Sequence, residues 1–233
     1  MAATIRTAQT RRRLSKVHDK RTRIFGAAAT LFAEHGFEKT TTQQISDRAE
    51  IAAGTLFRYA SSRAELLLMV YNEDLRAALD LGEQNSARID DPVAAVWALL
   101  EPILAAAARN TENTIVYQRE LLFGSHAEQY RAEGLALVDR LETAIAAILD
   151  HAAHGSAAAA NSTAANSTTT GPARLASRSI FAVLHLALAQ PATGAHPGHD
   201  ARADLYGQTA QIIAGFCAGP TNKTALTDNN GAP

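Results

Sequence analysis

Apolar residues along this chain recur at steps of three and four, and no stretch alternates with a period of two. That spacing lines up one face of a helix and excludes half-buried strands, so the chain is expected to be all-α. Local signals then divide it. Ile24, Phe25, Ala28, Leu31 and Phe32 share a face of a helix that closes at His35-Gly36-Phe37, with Gly36 suited to a left-handed cap. Thr41 and Gln44 form a capping box that opens a short helix carrying Ile45 and Ala49. A second short helix over residues 53–59 buries Leu56, and a second capping box, Ser62 with Glu65, opens a long helix that runs to about Gly82. Asp91-Pro92 starts a helix with Val96, Trp97 and Leu100, which Pro102 should kink or divide. Further helices are expected over about 111–124, 128–151, 174–190 and 200–217.

The two short helices at 41–59, separated only by residues 50–52, make a helix-turn-helix. Ala53 and Gly54 open the second with almost no bulk, so its first backbone N–H groups can come close to a phosphate or a groove floor. Thr55, Arg58 and Tyr59 follow with hydroxyls and a guanidinium. Thr41, Thr42 and Gln43 stand at the start of the preceding helix, where Gln43 can meet a base edge and pairs best with adenine. Arg63 adds a cation for a phosphate.

Phe32, Gly36, Phe37, Thr40, Thr41, Ile45, Ser46, Gly54, Thr55, Leu56, Phe57, Tyr59, Arg63 and Leu66 together follow a pattern over the first quarter of the chain. On those residues the chain resembles the TetR family of bacterial transcriptional regulators. It departs from the family at Glu50, where the turn commonly has Gly; at Ala52, where the recognition helix commonly has a Ser cap; at Phe57, which keeps the packing of a phosphate-touching Tyr without its hydroxyl; and at Ala60, which replaces an aromatic. A Glu at positive φ in the turn costs about 1 kcal/mol. The resemblance implies an N-terminal three-helix DNA-binding domain joined by a long helix to a helical ligand-binding and dimerisation domain.

Charge agrees with a polyanion partner. The formal total of −1 hides a division: residues 1–63 carry twelve Lys and Arg against five Asp and Glu, a net +7, which leaves −8 for the remainder. A basic tip on an acidic body is drawn to double-stranded DNA by one end only. The tip includes a basic N-terminal arm, to about Lys16, without apolar periodicity. Residues 154–173, rich in Ala, Ser, Thr and Asn, are expected to be a flexible connection, and residues 218–233 a disordered tail. The expected domains are therefore 1–62 and 63–217.

Residues 174–190 are apolar on more than one face, so one side can serve the body and the other a partner chain. The resemblance implies a homodimer through the last two long helices, about 174–190 and 200–217. Two heads related by a two-fold axis would read a near-palindromic operator. The further expectation is a repressor released by a small, apolar effector held among the body helices. Trp97, Tyr117, Phe123, Tyr130, Phe181 and His185 are the candidates to line that pocket, with Glu101 and Glu120 as possible counter-charges. The alternative is an architectural DNA-binding protein without ligand control. Enzyme chemistry is not expected. His151 with His154, and His196 with His199 and Asp200, flank loops, and no HExxH, nucleophile elbow, phosphate loop or cysteine cluster accompanies them, so no catalytic residue, metal or cofactor is assigned. The apolar run at residues 181–189 contains His185 and is too short to span a membrane, and Cys217 is the lone cysteine, so the expected location is the cytoplasm.

Overall fold

The computed structural model of the protein describes residues 2–125, 129–158 and 171–218. Among these residues there are nine helices and no strand. They are α1 (Ala2–Lys39), α2 (Thr42–Arg48), α3 (Ala53–Leu56), α4 (Arg63–Ser86), α5 (Pro92–Ala108), α6 (Thr111–Phe123), α7 (Gln129–Ala158), α8 (Pro172–Thr193) and α9 (Ala201–Cys217). No single helix among the described residues is long and apolar enough to cross a membrane.

The helix starts follow the capping signals. Thr41 Oγ1 accepts from Gln44 N at 3.2 Å while Gln44 Oε1 accepts from Thr41 N at 2.8 Å, a complete capping box for α2. Asp91 caps α5 through Ala94 N, with Pro92 at the first turn, and α5 continues unbroken through Pro102. The box at Ser62 differs in one respect. Ser62 Oγ accepts from Glu65 N, but the Glu65 carboxylate reaches Ser61 N at 2.6 Å, one residue earlier than in the usual motif.

Four boundaries depart from expectation. The basic arm up to about Lys16 is part of α1, which begins at Ala2, because Ala, Arg and Lys favour helix and no Gly or Pro precedes Gly26. Missing apolar periodicity argued against burial there, not against helix. Gly82 does not stop α4, which runs on to Ser86. A Cβ at Gly82 would lie 2.4 Å from the Leu99 carbonyl oxygen, so this glycine permits the close crossing of α4 and α5. The helix α3 ends at Leu56, and residues 57–59 continue as turns closed by Arg58 N to Thr55 O and Tyr59 N to Leu56 O. With no side-chain acceptor at Ala52, four residues are all that remain helical. Finally, α7 extends to Ala158, into the stretch read as a connection; residues 159–170 and the tail at 219–233 lie outside the described residues.

Two apolar clusters form the core. The first joins Ile24, Phe32, Phe37, Ile45 and Leu56 to the first half of α4 and then to Val116, Tyr117, Leu121 and Tyr130 of α6 and α7. Packing therefore does not stop at residue 62, and the head shares its core with the body. The second cluster, around Leu79, Leu99, Ile145, Ile180 and Ile213, binds α4, α5 and α7 to α8 and α9.

Candidate nucleic-acid interface and body cavity

The tip of the molecule is built on strained but supported backbone. Gly36 ends the regular part of α1 with φ 76°, a conformation that favours glycine, and it lies against the Glu112 carboxylate, whose Oε2 would be 2.8 Å from a Cβ there. Glu112 is used: its Oε1 accepts from Glu38 N at 3.2 Å, while Asn113 Nδ2 donates to Phe32 O at 2.9 Å. The start of α6 thus satisfies backbone groups at the end of α1. At the turn between α2 and α3, Glu50 takes φ 53°, the left-handed conformation that glycine would hold more cheaply, and pairs at the surface with Arg23 at 3.5 Å.

The proposed DNA contacts are distributed around this tip. Thr41, Gln43, Gly54 and Arg58 are exposed, and Thr42, Ala53, Thr55 and Tyr59 are half-buried. A Cβ at Gly54 would meet nothing within 4 Å, so its backbone is open to close approach. Gln43 Nε2 donates one proton to Asp47 Oδ1 at 2.7 Å, which fixes the amide and leaves its second proton and its oxygen for a base edge. Arg63, expected to supply a cation for a phosphate, is also engaged within the chain. Its guanidinium donates to Thr40 O at 2.7 Å and Glu38 O at 3.3 Å and lies over the Phe37 ring at 4.0 Å, so it clamps the end of α1 to the start of α4. Phe57, expected to keep its packing, is 51% exposed, and Ala60 is buried in the cluster that also holds Phe32 and Phe37, whose rings stack at 6.0 Å.

A cavity enclosing about 680 Å³, counting its open mouth, lies among α4, α5, α6, α7 and α8. Of the six candidate lining residues it collects three, Tyr117, Phe181 and His185. Trp97 instead meets Tyr206 edge-to-face at 5.1 Å and lies under Arg202, which pairs with Glu101. Phe123 is 82% exposed at the end of α6, and Tyr130 is buried in the head-side cluster beneath Arg21. Glu120 pairs with its neighbour Arg119. The sequence left Tyr71, Asp74 and Gln118 unassigned, although Thr114, Tyr117, Gln118 and Leu121 all fall on one face of α6 at steps of three or four.

The cavity wall is mostly aliphatic. Tyr117 donates its hydroxyl proton to Asn72 Oδ1 at 2.9 Å, and burial pushes its phenol far above the ordinary range. Asn72 Nδ2 donates to Tyr130 O at 2.7 Å, and Tyr130 N points to Glu65 Oε1 at 3.5 Å. His185 sits against Phe181 at 5.2 Å between ring centroids, and burial lowers its pKa, favouring the neutral imidazole. Elsewhere, the His196 and His199 rings lie 6.2 Å apart and His199 Nδ1 is 3.2 Å from Asp204 Oδ2, but among the described residues no three His, Cys, Asp or Glu side chains converge as metal ligands. The His154 side chain lies outside the described residues.

Residues 24–70 match the family described as bacterial regulatory proteins, tetR family. The HTH-type transcriptional repressor KstR of Rhodococcus jostii (strain RHA1) is 26% identical over 124 residues, 53% of this chain and 58% of that protein. The chain thus spans about half the length of the curated relatives it matches. Among solved structures, Thermus thermophilus FadR, a TetR-family repressor in complex with lauroyl-CoA, superposes with a TM-score of 0.61 at 22% identity, covering 91% of this chain and 98% of that one. The regulator FadR from Bacillus subtilis, in complex with stearoyl-CoA, superposes with a TM-score of 0.55 at 16% identity, covering 85% of this chain and 98% of that one. At these identities the likeness is one of fold.

Proposed function

We propose, from the premise that this chain belongs to the TetR family of bacterial transcriptional regulators, that it is a repressor which binds a near-palindromic DNA operator as a homodimer and is released by a small apolar effector. The observation that carries the proposal is the course of α4. Its cap, Ser62, follows directly on the turns after α3, and Tyr71, Asp74, Leu75 and Ala78 of the same helix line the cavity. The rise from Ser62 to Ala78 is about 24 Å. A ligand that displaces the cavity wall would therefore tilt the helix that carries the reading head.

In the proposed complex, Gly54 and Thr55 approach the duplex, Gln43 reads a base, and Thr41, Thr42, Ala53, Arg58 and Tyr59 meet the backbone or neighbouring bases. The homodimer is proposed through α8 and α9. Leu175 and Leu186 on α8 are 53% and 52% exposed, opposite the buried Ile180 and Leu184, and Tyr206 on α9 is exposed too. A helix apolar on two sides gains by burying both. The apolar effector is supported by the aliphatic wall and by two structural neighbours whose ligands carry long acyl chains.

Selection of bound sites from random duplexes tests the proposal. It should recover inverted half-sites about one helical turn or its multiple apart, preferred over random DNA by about 4–10 kcal/mol. Binding with a steep salt dependence but no sequence preference would favour an architectural role instead.

A further inference from the structure

Accepting the body cavity as the effector site, we propose that the effector is an uncharged, largely apolar molecule carrying one hydrogen-bonding oxygen, a carbonyl or a hydroxyl, and that His185 Nε2 is the group that holds it. The His185 Nε2 atom is buried and meets no hydrogen-bond partner among the described residues. Buried polar atoms are ordinarily paired, so an unpaired one in a cavity wall asks for a partner from whatever fills the cavity.

Neighbouring polar groups of the wall already have partners within the chain. Gln118 Nε2 donates one of its two protons to the His185 carbonyl at 3.3 Å, the single Thr114 hydroxyl proton is shared between the carbonyls of Ala107 and Asn110, and Tyr117 donates to Asn72. Of the buried side-chain nitrogen and oxygen atoms in the described wall, His185 Nε2 is the one left with no partner. Its own surroundings keep it uncharged, since burial disfavours the imidazolium.

Charge excludes an acid. Asp74 is the one charged side chain in the described wall, and it pairs with Arg109 at 3.4 Å; among the described residues no Lys or Arg lines the cavity. A carboxylate placed here would lose its hydration beside another carboxylate and find no cation. A ketone, alcohol, ester or thioester keeps the oxygen that His185 needs without that cost, and the aliphatic side chains around it, Leu75, Ile103, Leu137, Leu141 and Leu188 among them, accept the rest of the molecule.

Three probes of one shape separate these terms: decyl methyl ketone, the isostere in which a methylidene replaces the carbonyl oxygen, and undecanoate. The full-length protein should bind the ketone about tenfold more tightly than the isostere and more tightly still than undecanoate. His185→Leu should bring the ketone down to the isostere and leave the isostere unchanged. In the unaltered protein, the nitrogen-15 resonance of His185 Nε2 should move with the ketone and not with the isostere, a readout that needs no variant. Undecanoate binding best, or a ketone affinity indifferent to His185→Leu, overturns the anchor. Equal binding of all three removes the anchor and keeps the cavity. If none binds while the protein still holds its operator, the cavity fails as an effector site and the anchor fails with it.

Discussion

The Tyr117 hydroxyl donates to the Asn72 carboxamide at 2.9 Å in the seam where α6 crosses α4, and both residues are buried. Beneath them Gly134 leaves no room: a Cβ there would come within 2.8 Å of Asn72 Oδ1 and 2.7 Å of Leu121 Cδ1. One face of this junction is cavity wall and the other is the core shared with the head. Tyr117→Phe keeps the ring and removes the donor, stranding Asn72 Oδ1, and should cost about 1–3 kcal/mol in urea unfolding. A loss below a few tenths would mean that the bond does not hold the seam.

The strained turn gives a prediction of opposite sign. Glu50 at φ 53° is held in a left-handed conformation by the fold, and its exposed pairing with Arg23 offsets little of that cost. Glu50→Gly should stabilise the protein by about 1 kcal/mol, read as a higher thermal midpoint. A lower midpoint would show that the ion pair outweighs the backbone.

Arg63 and Arg58 separate structure from binding. Because Arg63 spends its donors on Thr40 O and Glu38 O and covers Phe37, Arg63→Lys should lose stability as well as DNA affinity although the charge is kept. Arg58→Ala, at an exposed site, should leave thermal stability unchanged, weaken all duplexes alike and reduce the salt slope by about one. If Arg63→Lys is silent in unfolding experiments, Arg63 is a phosphate contact and not a clamp.

Base preference should reside in Gln43. With its amide fixed by Asp47, Gln43→Ala should cost about 1–3 kcal/mol on the preferred site and little on random DNA. A uniform loss on both would assign Gln43 to the backbone.

The pH dependence follows from His185, whose folded pKa is lowered by burial. The unfolded chain then binds the proton more readily, so stability is full above the unfolded value of about 6.5 and falls as the pH drops through it toward the folded pKa. His185→Leu should remove that component, measured as the change in urea midpoint between neutral and mildly acidic buffer. An unaltered pH profile in the variant would place the titration elsewhere.

Much of the architecture was legible because capping chemistry is local. Thr41 with Gln44 and Asp91 with Pro92 announce helix starts whatever packs on them, and Gly36 announces a break. Some misread positions have local causes, such as the uncapped start of α3 at Ala52, but others are decided by a distant contact. Gly82 has the composition of a stop signal, yet its role is to let the Leu99 backbone approach. The pocket shows the same limit. Trp97, Phe123 and Tyr130 are as large and amphipathic as Phe181 and His185, and only the crossing of five helices separates wall from core. Asn113 carried a usable signal, a polar residue four before Tyr117 on the buried face of α6, and it holds the Phe32 carbonyl.

The central claim is that the cavity and the reading head bias one another through α4, and linkage provides its most direct measurement. A compound found to bind the cavity is titrated into the free protein and into the protein saturated with its selected operator. The account predicts weaker binding to the operator complex, by the same factor by which the compound weakens operator binding, within about 5–150-fold. Equal affinities for free and operator-bound protein would contradict it.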